Sequence, residues 1–252
     1  DRPGLEPYAR LLAGPGGVTR GAFIFEDEAL ATVVTEPGDL SGLDLGLAWL
    51  EERQAVLKPG ADLVLEVPGD NRALTHALEA RGYSRDAEGF VRFTAPAGSL
   101  AAPEGVPGFT IRERRGRRDD LAFFDAAWEV FGFRDDPRAH AILAASSLAH
   151  PDLALVAVDE ATGTVAAFAT LWLDREDGLT EFEPVGTRPA HRRRGLARQL
   201  MLEAARRAGP LGATTLSVDG WSGSEAACGL YRGVGLKETR RIARYRHPVR
   251  PA

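Results

Sequence analysis

The sequence predicts an α/β protein of the α+β kind, built in two lobes, with a mixed but mostly antiparallel central sheet flanked by helices. Three observations lead there. The stretch APAGSLAAPEGVP (Ala95–Pro107) is rich in Ala, Pro and Gly, has no apolar period and divides the chain. Beyond it, strand segments joined by short turns read as an antiparallel meander. Finally, short strings recur: VVTEP at Val33 matches VGTRP at Val185, 185 minus 33 or 152 positions on, and GADLVLEV at Gly60 matches GATTLSV at Gly212 at the same offset. LEARGY ending at Tyr83 matches YRGVGL ending at Leu236 at 153, which one inserted residue explains. The expected domains are a smaller N-terminal lobe over 1–95, a linker over 96–107 and a second lobe over 108–252. Read as a tandem duplication, the first copy, with only 32 residues before Val33, is expected to lack the leading strand and helices of the second; the alternative is chance similarity between two strand-helix units.

In chain order, GFTIRER alternates as a strand does, and DDLAFFDAAWEVFG opens on acids and carries a helical stripe through Leu121, Phe124 and Trp128. A further helix is expected over Pro137–Ala149. DLALVAVDEATGTVAAFATLWLD gives two strands around a turn at Thr162-Gly163, and LTEFEPVGT a third, interrupted by Pro184, which has no N–H for a ladder. Leu196, Leu200, Met201 and Ala204 mark a helix that Gly209-Pro210 ends. TTLSV is a strand, Ser224–Gly233 a helix and KETRRIARYRH a last strand.

Composition excludes several classes. The 252 residues are 44% hydrophobic, enough for a real core, and contain no run of 18 apolar residues. The opening DRPGLEPYAR lacks the basic-then-apolar order of a secretory signal, so a cytoplasmic location is expected, with no membrane partner. Cys228 is the single cysteine, which excludes an intramolecular disulfide, and the histidines show no i, i+4 ligand spacing, so no metal is expected. A net charge of -5 argues against nucleic acid as a partner.

Positive charge is instead local. RPAHRRRGLARQLM (188–201) places four arginines in its first seven positions, just ahead of the helix through Leu196. First-turn N–H groups lack carbonyl partners and carry the positive end of the helix dipole, which makes an anion site. Gly195 removes a Cβ from the approach, Ala197 keeps it shallow, and guanidinium groups add charge-assisted hydrogen bonds worth about 1.5–3 kcal/mol each when shielded from water. A diphosphate suits such a site; a solvated helix start uses the same residue types.

Arg192-x-x-Gly195-x-Ala197 resembles the Arg/Gln-x-x-Gly-x-Gly/Ala signature of the GNAT superfamily of acyl-CoA-dependent N-acyltransferases, and SEAACGLYRGVGL is similar to that family's later Asn-x-x-Ala-x-x-Leu-Tyr-x-x-x-Gly-Phe. The likeness spans Gly108 to about His247. It implies the GNAT-like fold, with acetyl-CoA as co-substrate and no metal. By the same resemblance, backbone groups of Val185, Gly186 and Thr187 pair with the pantetheine arm and hold the acyl carbonyl. Amides of Arg193, Arg194, Gly195, Leu196, Ala197 and Arg198, beside Arg192, hold the pyrophosphate. Pro184 suits a bulge that splays this strand from the next, and Ser224 stands where the family often has Asn, which puts its cofactor contact in question.

Acyl transfer to an amine needs a neutral nucleophile, a polarised carbonyl and a proton for the departing thiolate. Tyr231 resembles the family's general acid, its reference pKa of about 10 lying above the thiol's about 8.5; it also fits a core aromatic. Glu181 and Glu183, two apart on one strand, face the same side, where a carboxylate takes a proton from an ammonium. Glu183 adjoins the bulge and is the preferred base, while each also fits a substrate-charge anchor or an exposed residue. GWSGS (220–224) is a near miss for a nucleophile elbow and reads as a loop. In the first lobe, aligned on Gly42, Asp39-Leu40-Ser41 replace the arginines, Asp44 replaces Ala197 and Leu78 replaces Tyr231, so this copy is expected to be degenerate and to bind no CoA. The expectation is an N-acetyltransferase, monomeric or homodimeric, acting on a small-molecule amine; the alternative is a non-catalytic acyl-CoA-binding regulator.

Overall fold

A computed structural model describes residues 8–25, 29–35, 39–132 and 145–248. The chain divides into two compact units, Asp1–Val91 with Trp221–Gly223 and Arg240–Ala252, and Arg92–Gly220 with Ser224–Thr239.

In the first unit, β1 (Ala9–Ala13), β2 (Thr19–Phe25) and β3 (Leu30–Thr35) form antiparallel neighbours. Helix α1 (Leu40–Leu57) then leads to β4 (Leu63–Pro68), which lies parallel to β3 as a crossover connection requires. Four of the six β4 residues are buried, the near-continuous apolar run of a strand covered on both faces. Helix α2 (Arg72–Ala80) and the short β5 (Ser84–Arg85) follow. The core gathers Phe23, Leu47, Leu50, Leu65, Leu78 and Tyr245.

In the second unit, the strand order is β6 (Phe90–Pro96), β11 (Thr215–Trp221), β10 (Leu179–Thr187), β9 (Val165–Asp174), β8 (Ala154–Asp159) and β7 (Phe109–Glu113). β8 to β10 are the expected antiparallel meander, β7 pairs antiparallel with β8, and β10 meets β11 in parallel. The helices are α3 (Gly116–Phe131), α4 (Leu196–Ala208) and α5 (Glu225–Val234). Leu196, Leu200, Met201 and Ala204 of α4 are buried as their spacing requires. Both units run strand, strand, strand, helix, strand, helix, with the same senses of pairing; the first has no counterpart of β7 and α3 among the described residues.

The face expected for α3 needs correction. Leu121 and Trp128 are 60% and 45% exposed, and the buried face of α3 is instead Asp119, Phe123, Ala126 and Ala127. The alanines let the helix approach closely, and Phe123 meets Phe168 edge-on at 5.0 Å. The division of the chain also differs from the expected 96–107 boundary. The final strand β12 (Lys237–His247) pairs with β4 from Ile242↔Pro68 to His247↔Leu63, so its residues from Arg240 onward belong with the first unit. The Ala/Pro/Gly-rich stretch is held within the second unit, where the Glu104 N–H donates to Gln199 Oε1 at 2.8 Å. As for the helix expected over Pro137–Ala149, residues 137–144 lie outside the described residues, and Ala149 closes a turn on Ser146.

Candidate functional site

The site begins with the interruption of β10. Its ladder with β9 runs from Leu179↔Asp174 to Phe182↔Leu171, slips, and resumes at Val185↔Ala169, so Glu183 and Pro184 form the expected irregularity. On its other side β10 pairs with β11 at Leu179↔Thr215. Past the bulge, Val185, Gly186 and Thr187 line a cleft of about 800 Å³. Gly186 leaves room for the ring beneath it, since a Cβ there would lie 2.3 Å from Phe168.

The tip of α4 faces the same cleft. Gly195 caps the helix at φ 83°, and Arg193 at φ 65° shares this left-handed state, uncommon away from glycine. The cap offers no side-chain acceptor, and Gln199 N–H to Gly195 O, at 3.0 Å, is the first i to i−4 bond; the amides of Leu196, Ala197 and Arg198 come before it. A Cβ at 195 would meet nothing within 4 Å, so open space lies before the tip. Arg192 Nε donates to Thr187 O and Arg198 Nε to Gly233 O, both at 3.2 Å, which ties these arginines to the cleft wall. The Arg194 side chain turns to the Phe109 ring, 5.8 Å from the centroid, which leaves to the cleft the backbone amide expected of it.

Tyr231 closes the cleft from α5. It is 8% exposed, packs on Phe93 at 5.5 Å, and is pushed up to about 12, first by burial and then by the negative charges of Glu183, Cys228, Asp219 and Glu181. It is therefore a weaker acid than the reference value implies. Ser224 lines the cleft, but its Oγ accepts from the Ala227 N–H at 3.3 Å as the α5 cap.

The two glutamates part company, because the slip after Phe182 interrupts the two-residue period of the strand. Glu183 is exposed, and its carbonyl accepts from Trp172 Nε1 at 2.6 Å. Glu181 is half-buried in a separate cavity of about 330 Å³, where Oε2 accepts from Ser217 Oγ at 2.6 Å and lies 3.4 Å from Arg92 Nη2. Burial, the largest influence, holds its carboxyl above the ordinary range. Trp172, Ser217 and the Arg92–Asp219 pair were not legible as site residues, since these partners are distant in sequence.

The corresponding tip of α1 is closed by its own acid. Asp39 caps the helix, accepting from Gly42 N–H at 3.0 Å and Ser41 Oγ at 3.1 Å, with Arg20 at 3.3 Å. These hydrogen bonds, the Gly42 amide first, hold the Asp39 carboxyl below its usual range. Leu78 is fully buried core, and Asp44 pairs with Arg81 at 3.1 Å.

Comparison with known proteins puts the chain in the acetyltransferase class: a family model described as Acetyltransferase (GNAT) family matches residues 121–236. The chain is 32% identical over 256 aligned positions to the mycothiol acetyltransferase of Kineococcus radiotolerans, covering 96% of this chain and 77% of that protein. The chain belongs to the GNAT acetyltransferase family. Among solved structures, a GCN5-related N-acetyltransferase from Sphaerobacter thermophilus aligns with TM-score 0.78 at 21% identity over 99% of this chain and 84% of that one. A tandem GNAT protein from the clavulanic acid biosynthesis pathway aligns at 0.67 and 14% identity, over 95% and 82%. At these identities the likeness is one of fold.

Proposed function

We propose that the chain moves an acetyl group from acetyl-CoA to the amine of a small-molecule acceptor by direct attack in a ternary complex. The observation that carries this reading is the open tip of α4, with unpaired first-turn amides beside Arg192 and Arg193, in one cleft with Tyr231. Acetyl-CoA bound there supplies an activated thioester and a thiol leaving group. The open edge of Val185–Thr187 receives the pantetheine arm in strand-like pairing, and the α4 amides hold the diphosphate.

The acceptor ammonium gives a proton to Glu183, directly or through water. Its nitrogen then forms the C–N bond as the C–S bond breaks and sheds its remaining extra proton to water, which makes good any proton that Tyr231 gives up, while the leaving sulfur is met by the Tyr231 hydroxyl. With Tyr231 near 12 against about 8.5 for a thiol, full transfer to a free thiolate is uphill by about 5 kcal/mol. The tyrosine acts first as a hydrogen-bond donor to developing negative charge. A proton arriving on Glu183 removes one of the charges that raise Tyr231, which eases the transfer. The first unit, its helix tip filled by Asp39, binds no acyl-CoA.

The test is release of free thiol from acetyl-CoA across an amine panel, together with calorimetric titration of CoA. Binding without thiol release from any amine would leave a CoA-binding regulator.

A further inference from the structure

The second cavity has the chemistry of an acceptor subsite, an inference that rests on the transferase reading above. It opens beside β10 ahead of the bulge, with Trp172 and Leu179 supplying apolar surface and Asp174, Glu181 and Arg92 the charge. Arg92 is already committed: Nε and Nη2 donate to the two oxygens of Asp219 at 2.8 and 2.6 Å. Two carboxylates, Asp219 and Glu181, thus stand at one guanidinium, and a third, Asp174, lines the same cavity, its Oδ1 accepting from the Glu176 N–H at 2.9 Å. The Asp219 carboxylate offsets the Arg92 charge, so Glu181 and Asp174 leave an excess of negative charge in a partly desolvated site, which a cation enters favourably and an anion does not.

The indole of Trp172 is held by its bond to Glu183 O, so its place between the bulge and the cavity is fixed. An ordered aromatic ring beside carboxylates is a surface on which an organic cation gains both stacking and Coulomb attraction. Burial holds Glu181 above the ordinary carboxylate range despite Ser217 and Arg92, a cost that an incoming positive charge relieves. From Glu181 to Val185, at the edge where the acyl group is expected, is four residues, about 13 Å at strand rise and less across a bulge.

We infer that this cavity takes a second ammonium group of the acceptor, one that stays protonated through the reaction, and that the acceptor is an elongated dication whose reacting nitrogen lies roughly 10–13 Å from that charge. Glu181 is then a charge anchor and Glu183 the base. The near ammonium loses its proton at the bulge while the far one remains charged.

The test compares 1,8-diaminooctane, octylamine and 8-amino-1-octanol as acceptors with acetyl-CoA, and titrates each by calorimetry into the full chain alone. The diamine is expected to exceed the other two at least tenfold in kcat/KM and to bind with an affinity that falls as salt rises. That ratio is expected to collapse in Asp174→Asn and in Glu181→Gln, each of which keeps a hydrogen-bond acceptor in place. Equal kcat/KM for all three, or preference for the amino alcohol, with CoA binding intact, overturns the inference and leaves the transferase reading standing. If CoA does not bind and no thiol is released, the transferase reading fails; diamine titration then still decides whether the cavity is a cation site.

Discussion

Replacing Ala197 by aspartate would put a carboxylate in the first turn of the second unit's open helix tip, where the first unit carries one at its cap, Asp39. Ala197 lies in the first turn of α4 and lines the cleft. A carboxylate there, about 5 Å from a bound diphosphate, repels it by about 3 kcal/mol per charge pair at an effective dielectric of 20. The tip is exposed from Arg192 to Gly195, so solvent and salt reduce this to roughly 1–2 kcal/mol in all, or about 5- to 30-fold in Kd. The same charge complements the helix dipole and stabilises the fold by about 0.3–1 kcal/mol. Affinity and stability thus move in opposite directions. Calorimetric titration of CoA and thermal unfolding read the two, with Ala197→Asn as the control for size. Unchanged CoA affinity in Ala197→Asp, or an equal loss in Ala197→Asn, would show that the diphosphate does not sit at this tip.

Other outcomes follow from the same geometry. Tyr231→Phe keeps the ring against Phe93, so it should lower kcat by about 10²-fold with CoA affinity within a factor of two; an unchanged kcat removes Tyr231 from the chemistry. Because Tyr231 is raised to about 12 and acts in its neutral form, it stays competent from neutral pH up to about pH 11, and kcat/KM should show no tyrosine-dependent fall near 10. Titration should find one CoA per chain, since Asp39 fills the tip of α1; two sites would contradict the degenerate reading of the first unit. Phe168→Ala should cost about 3–5 kcal/mol in denaturant unfolding, because its ring is fully buried beneath Gly186 and against Phe123.

What was legible in the sequence was whatever local chemistry dictates. Pro184 announces a break in its ladder because it has no N–H, and the period through Leu196, Leu200, Met201 and Ala204 announces α4 because an apolar face must be buried. Gly195 marks the start of α4 because the left-handed φ of 83° there suits a residue with no Cβ. The face of α3 was misread because large apolar residues outweigh alanine in a pattern, whereas close packing on Phe168 rewards Ala126 and Ala127. Asp119 is buried for a reason no period contains: its carboxylate accepts from Arg112 and from the Arg115 N–H. The separation of Glu181 from Glu183 depends on a one-residue slip, and the second cavity on partners such as Arg92 and Asp219, 127 residues apart. Likewise, the pairing of β12 with β4 leaves no mark in either strand's own pattern.

A crystal structure of the chain soaked with acetyl-CoA tests the role of the α4 tip most directly. The diphosphate should lie within hydrogen-bond distance of the amides from Gly195 to Arg198, with the thioester against the open edge of Val185–Thr187 and the sulfur facing Tyr231. A diphosphate bound elsewhere, with that tip contacted by protein instead, would contradict it.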